Sequence, residues 1–259
     1  MKPLLEGKTA WVTGAAGAIG AEICRRFAAE GARVILSGRH ERTLAPVAAE
    51  LPAGAAALVR PLDVTDRSQV DGTAREAIAR FGRIDVLVNS TTNPIFNRFE
   101  ELGDDDWIAV LDAKLLGYMR TARAILPHMV EIGGGAIVNV SGRGGHQPNS
   151  PSHMAGSCAN GAVNTLTKGL ANMYGPRGVR VNAIAPGPVL SPRWDRISAA
   201  NQAIAGDGPV RSGTAVGNPL GEASTPGDIA DAALYLASDL SGFVTGIVLQ
   251  VDGGGTSAL

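Results

Sequence analysis

Cysteine is nearly absent: in 259 residues only Cys24 and Cys158 occur. Both fall in helical patterns and neither has metal-ligand spacing around it, which excludes a disulfide framework and a cysteine-based metal site and predicts two buried free thiols. An excess of one charge is lacking too. The 23 Lys and Arg against 24 Asp and Glu leave a net charge of −1, with no block of like charges to recruit nucleic acid or an anionic membrane surface. No apolar run is long enough to span a bilayer, and Met1 to Lys8 lacks the apolar stretch of a secretory leader. Internal repeats and low-complexity tracts are missing as well. What remains as expectation is small-molecule partners, no nucleic acid, no membrane, no metal, and a cytoplasmic location.

What is present is a regular alternation of strand-like and helical segments. Strands are expected at Thr9–Val12, Arg33–Ser37, Ala56–Leu62, Ile84–Asn89, Ala136–Ser141, Val179–Ala185 and Ile247–Val251. Helical periodicity fills 19–30, 41–51, 66–81, 104–130, 153–174 and 226–238. Near-continuous apolar strands such as Ile84-Asp85-Val86-Leu87-Val88 suit a sheet covered on both faces, so the pattern predicts an α/β fold with a seven-stranded, doubly wound parallel sheet. With no linker in sequence, residues 1–259 read as one domain. Thr225-Pro226-Gly227-Asp228 opens the last helix with an N-cap, a proline at the first helical position and an acid at the third. The stretch 186–221 is rich in Gly, Pro, Ser and Asn, has only a short helical pattern near 197–205, and is expected to form a lid over a ligand crevice.

The organising motif is Thr13-Gly14-Ala15-Ala16-Gly17-Ala18-Ile19-Gly20, between the first strand and the first helix. Gly14 permits a sharp turn, Gly17 close approach of backbone N–H groups to a pyrophosphate, and Gly20 tight packing of helix on strand, with the positive helix end facing the anion. An ordinary tight turn would use the same residues, and the motifs downstream have to decide.

Those motifs are Leu62-Asp63-Val64-Thr65-Asp66, Asn89 at a strand end, Ile137-Val138-Asn139-Val140-Ser141, Val181-Asn182-Ala183-Ile184-Ala185-Pro186-Gly187, and Thr245-Gly246 with Val251-Asp252-Gly253-Gly254. Over essentially its whole length the chain resembles the short-chain dehydrogenase/reductase family. The resemblance implies a Rossmann-type domain binding NAD or NADP, commonly a homotetramer, with a homodimer as the simpler assembly. It implies that Gly14, Ala16, Gly17, Ile19 and Gly20 form the phosphate turn, that Asp63 and Val64 flank the adenine, and that Asn89 braces the sheet. Pro186, Gly187, Val189 and Ser191 would hold the carboxamide. The second strand ends Leu36-Ser37-Gly38-Arg39 without the acid that binds a ribose diol, and Arg39 offers a guanidinium to a 2′-phosphate, so NADP is expected over NAD.

The catalytic positions depart from the family pattern of Asn, Ser, Tyr and Lys. The match puts Lys114 at the asparagine position, Gly142 at the serine with Ser141 adjacent, Gly156 at the tyrosine and Asn160 at the lysine. His153, seven residues before Asn160, could give a proton without a neighbouring lysine, or could be a first-turn residue facing solvent. Lys114 shares a helical face with Trp107, Leu111 and Tyr118. It is either desolvated into an acid or base near neutrality, or it snorkels to water or pairs with an acid. Arg143, His146, Arg193 and Arg211 would favour an anionic substrate, against Asp195, Asp207 and Glu222. Tyr118 and Tyr174 are expected to pack in the core. Three functions stand: an NADP-dependent oxidoreductase on a carbonyl, alcohol or activated double bond with a substitute proton donor; a catalytically silent nucleotide-binding sensor or subunit; or a lyase, hydratase or isomerase on the same fold.

Overall fold

The computed structural model describes residues 2–206 and 217–257. Arg211, Asp207 and the part of the expected lid from 207 to 216 lie outside the described residues. Seven strands, β1 (Thr9–Thr13), β2 (Arg33–Gly38), β3 (Ala57–Pro61), β4 (Val86–Asn89), β5 (Gly135–Val140), β6 (Val179–Pro186) and β7 (Val248–Val251), form one parallel sheet in the order β3-β2-β1-β4-β5-β6-β7. This is the single α/β, Rossmann-type architecture expected from the alternation, with strand ends shifted by one or two residues.

Side chains alternate between the faces of a strand, and each face feeds its own core. Val12, Leu36, Val88 and Val140 meet Phe27 of α1 (Ala18–Ala29), Leu44 of α2 (Glu41–Ala49) and Ile229 of α8 (Pro226–Ala237). Trp11, Ile35, Leu87 and Ile137 meet Val70 of α3 (Arg67–Phe81), Ile125 of α5 (Gly117–Glu131) and Leu170 of α6 (Met154–Tyr174). Tyr174 packs against this second cluster. Trp11 is fully buried, and its indole N–H donates to Ser37 Oγ at 2.9 Å. Cys24 is buried as expected. Cys158 is exposed, correcting the expectation: on α6 the buried face runs through Ala155, Gly156, Ala159 and Asn160, and residue 158 points the other way.

The expected helix over 104–130 is broken by a wide turn. α4 (Asp104–Leu111) passes into a five-residue π segment, Asp112–Leu116, before α5 begins. A π turn carries one residue more than the α-helical ladder allows, and here that residue run contains Lys114. The last helix, α8, starts as the sequence predicts, with Thr225 Oγ1 accepting from Asp228 N at 3.3 Å and Asp228 Oδ2 accepting from Thr225 N at 2.7 Å. α7 (Pro192–Ala205) starts five residues earlier than its periodicity suggested, because Ser191 accepts from Trp194 N and Pro192 takes the first helical position.

β1 and β4 are neighbours although two strands separate them in sequence, so the chain reverses its direction of travel across the sheet between them, and a crevice opens at their carboxyl ends. A buried polar chain crosses this point. Thr121 Oγ1 donates to Asn89 Oδ1 at 2.8 Å, Asn89 Nδ2 to Asn139 Oδ1 at 3.0 Å, and Asn139 Nδ2 to Thr167 Oγ1 at 3.0 Å. Satisfied bonds of this kind fix the strand ends against one another.

Candidate active site

At those strand ends lies a cleft of about 870 Å³. Its first half is the turn from β1 into α1. Gly14 has φ +70, and a Cβ there would sit 2.5 Å from Ser90 O; a Cβ on Gly20 would collide with Gly14 O. No side chain caps α1 at Gly17 and no acid occupies its first turn, so the first N–H groups face the cleft unopposed. Ala16, Gly17 and Ile19 line this end, with Arg39, Asp63 and Val64 beyond it and Pro186, Gly187, Val189 and Ser191 on the opposite wall. Asn89 does not line the cleft; it is fully buried in the polar chain beneath. Ser191 lines it, but its hydroxyl caps α7 and donates to Val189 O at 2.9 Å. An open helix end, a turn that tolerates no Cβ and a long cleft fit a dinucleotide.

The second half of the cleft gathers Lys114, Ser141, His153, Asn160 and Arg193. The π turn carries Lys114 inward, where it is 6% exposed; its Nζ donates to Ser141 O at 3.0 Å and lies 5.8 Å over the Tyr118 ring. It neither snorkels nor pairs: among the described residues no carboxylate is within ion-pair distance, and Asp112 on the same turn is taken by Arg120 at 2.7 Å. Burial, and then the charge of Arg193, pull its pKa from 10.5 to about 7. Tyr118 Oη lies 2.9 Å from Val140 O and 3.1 Å from Thr91 O, and burial raises its pKa.

His153, just before α6, is half-buried with its ring 5.5 Å from that of Phe96. Burial, then Arg193 and Lys114, push its pKa down to about 3. Arg193 Nη2 lies 3.1 Å from His153 Nε2; a guanidinium only donates, so Nε2 accepts and the ring proton belongs on Nδ1. Arg193 also stacks on Phe96, 5.0 Å from the ring centroid, and its Nη1 is buried without a hydrogen-bond partner among the described residues. Desolvation, then Arg196, lower its pKa to about 10. Ser141 Oγ donates to Ile184 O at 3.1 Å, whereas the buried Asn160 Oδ1 has no hydrogen-bond partner among the described residues. Arg143 also lines the cleft; His146 does not, and its ring instead meets Asn164 at 3.2 Å. Phe96 carries no signal in the sequence, lying in the aperiodic stretch after β4. Neither a metal-binding cluster nor a helix long and apolar enough to cross a membrane occurs among the described residues.

The family model described as enoyl-(acyl carrier protein) reductase matches residues 14–256. Galactitol 2-dehydrogenase (L-tagatose-forming) of Cereibacter sphaeroides is 39% identical over 254 residues, spanning 97% of this chain and 96% of that one. The 3-oxoacyl-[acyl-carrier-protein] reductase of Thermotoga maritima is 35% identical over 256 residues, spanning 96% and 98%. The solved structure of 7α-hydroxysteroid dehydrogenase complexed with NADH and 7-oxo glycochenodeoxycholic acid superposes with a TM-score of 0.86 at 27% identity, covering 100% of this chain and 98% of that one. This chain belongs to the short-chain dehydrogenase/reductase family.

As a short-chain dehydrogenase/reductase it has the Rossmann-type fold of a family that binds NAD or NADP, and the four positions that the sequence resemblance matched to the family's catalytic residues meet in one place. Lys114, Gly142, Gly156 and Asn160 all line the cleft. At Gly156 a Cβ would collide with the imidazole of His153, so the ring fills the volume that a side chain at 156 would enter. At Gly142 a Cβ would lie 2.7 Å from Asn160 Nδ2. The histidine and the asparagine thus occupy space vacated by the two glycines.

Proposed function

We propose that this protein is a cytoplasmic, NADP-preferring oxidoreductase that interconverts a carbonyl and an alcohol, or reduces an activated double bond, with Lys114 as the group that gives and takes the proton. The observation that carries this reading is a buried amine without a counter-ion, poised near pH 7, in the same cleft as an open phosphate cradle. A nicotinamide dinucleotide in the cradle would supply or accept the hydride. Lys114 would hold the substrate oxygen and protonate it on reduction, while Ser141 O fixes the amine in place through its hydrogen bond. His153 is kept neutral and spends Nε2 on Arg193, so it positions the guanidinium rather than delivering a proton. Asn160 Oδ1 is left to accept from a ligand hydroxyl. The test is NADPH consumption on a panel of carbonyl compounds. Tight NADPH binding without turnover on any of them would favour a silent subunit, and no binding of either dinucleotide would leave only the lyase or isomerase reading.

The NADP preference rests on Arg39, which is exposed at the cleft edge beside Gly38, where no carboxylate stands. Arg39→Ser should weaken NADPH binding about tenfold, on the scale of a hydrogen bond to a charged group, with NADH binding nearly unchanged. Equal losses for both dinucleotides in a fluorescence titration would remove Arg39 as the discriminator. For assembly we propose a homotetramer, with a homodimer as its half. Exposed Ile108 at 62% and Phe243 at 106%, with Ile247 before edge strand β7, support burial between copies. Light scattering on the eluting protein should give the mass of four chains, and a monomer mass at micromolar concentration would overturn this.

A further inference from the structure

We infer that the cleft contains an oxyanion subsite built on Arg193, and that the substrate is a small oxo acid or its hydroxy-acid counterpart whose carboxylate lies beside the reacting carbon. This deepens the proposed function and rests on it for the chemistry, though not for the binding.

The observations are about charge without compensation. Arg193 has one guanidinium nitrogen on His153 and one buried with no partner, and its flat face is covered by Phe96. Lys114 donates only to a neutral carbonyl. Arg196 adds a further positive charge at the same wall. Among the described residues two acids line the cleft, and both are held elsewhere: Asp112 pairs with Arg120, and Asp63 Oδ1 accepts from Thr65 N and Thr65 Oγ1 beyond the phosphate turn. Of the other described acids that could have balanced the wall, Asp195 and Glu222 are exposed and do not line it. Buried cations are ordinarily paired, because the desolvation of an unpaired one is not recovered. In this cleft the missing partner is an anion brought by the ligand.

The free donors suit an anion. Lys114 has three N–H donors, one already on Ser141, which leaves two. One suits a carbonyl oxygen and the other a neighbouring carboxylate oxygen. The free Nη1 of Arg193 takes the second carboxylate oxygen. His153 enforces the arrangement: held neutral, it can accept from Arg193, whereas as an imidazolium it would repel the guanidinium. Phe96 supports the ring from below.

The test is calorimetric binding to the full chain, with and without NADP, of pyruvate, acetoacetate and levulinate, each against its methyl ester, with dihydroxyacetone phosphate as the phosphoryl probe. At least one acid should bind tenfold or more tighter than its ester. Arg193→Ala should erase that difference, and Arg193→Lys should keep part of it, which separates anion binding from a folding defect. The groups that act on Lys114 are Arg193 from α7, His153 before α6 and Tyr118 on α5. An anion among them favours the ammonium form, so acid binding at pH 8 should take up protons, read as a dependence of the heat on the buffer, and Lys114→Met should abolish that uptake. Acids and esters binding alike, a preference that survives Arg193→Ala, or dihydroxyacetone phosphate binding tighter than every acid would each overturn the assignment. Acid binding without NADPH consumption would leave the subsite standing and remove the hydride chemistry; consumption with neutral carbonyls alone would do the reverse.

Discussion

Lys114→Met should lower turnover about 10²- to 10⁴-fold, the range carried by a positioned general acid, while NADPH affinity stays within about twofold. Methionine keeps the unbranched stem and the packing on Tyr118 but removes the buried amine that sits beside Ser141 O. The pH profile is the sharper readout. Reduction needs the ammonium, so its rate should fall as pH rises through about 7; oxidation needs the free amine and should rise through the same point. Stability carries a matching signature. The lysine pKa is 10.5 when free and about 7 in the fold, so between these values the unfolded chain binds more protons and stability increases with pH. In the methionine variant that slope should flatten. A variant that retains more than a tenth of the parent rate, with an unchanged pH profile, would take Lys114 out of the chemistry.

Gly14→Val should cost at least a hundredfold in NADPH affinity and lower the melting temperature. Two effects act together. At φ +70 a β-branched residue is strained, with an outlier backbone costing of the order of 1–3 kcal/mol. Its Cβ would also meet Ser90 O at 2.5 Å and Ser90 C at 2.8 Å, which are backbone atoms at the end of β4 and cannot swing aside. Either Ser90 moves, disturbing the floor of the cleft, or the turn opens and withdraws the first N–H groups of α1 from the phosphates. NADPH binding within threefold of the parent, measured by calorimetry on the folded variant, would show that the turn is not the cradle.

The sheet was legible because buried parallel strands are near-continuous apolar runs and because the Thr225-Pro226-Gly227-Asp228 start has a single structural meaning. The tight turn from β1 into α1 was legible because close backbone approach demands glycine, which leaves a trace in sequence. The catalytic half was not, for physical reasons. A π turn needs no special residue, so Asp112–Leu116 reads as ordinary helix, and the depth it gives Lys114 could not be foreseen. The choice between a snorkelling and a buried lysine depends on the absence of a carboxylate nearby, which is a fact of packing. Ser191-Pro192 is a helix start, and the family resemblance drew attention instead to its place beside the cofactor. Phe96 supports Arg193 from a stretch without periodicity.

The two filled glycine sites bear on the paths by which this site could change. With His153 seated over Gly156 and Asn160 against Gly142, restoring a tyrosine at 156 alone would drive its first carbon into an imidazole, and a serine at 142 alone would crowd an amide. Each reversal needs its neighbour to swing aside or be cut back, and residues in contact couple rather than add. The two pairs are therefore epistatically coupled. A change at either glycine presses on its neighbour, so His153 with Gly156 and Asn160 with Gly142 should vary as pairs.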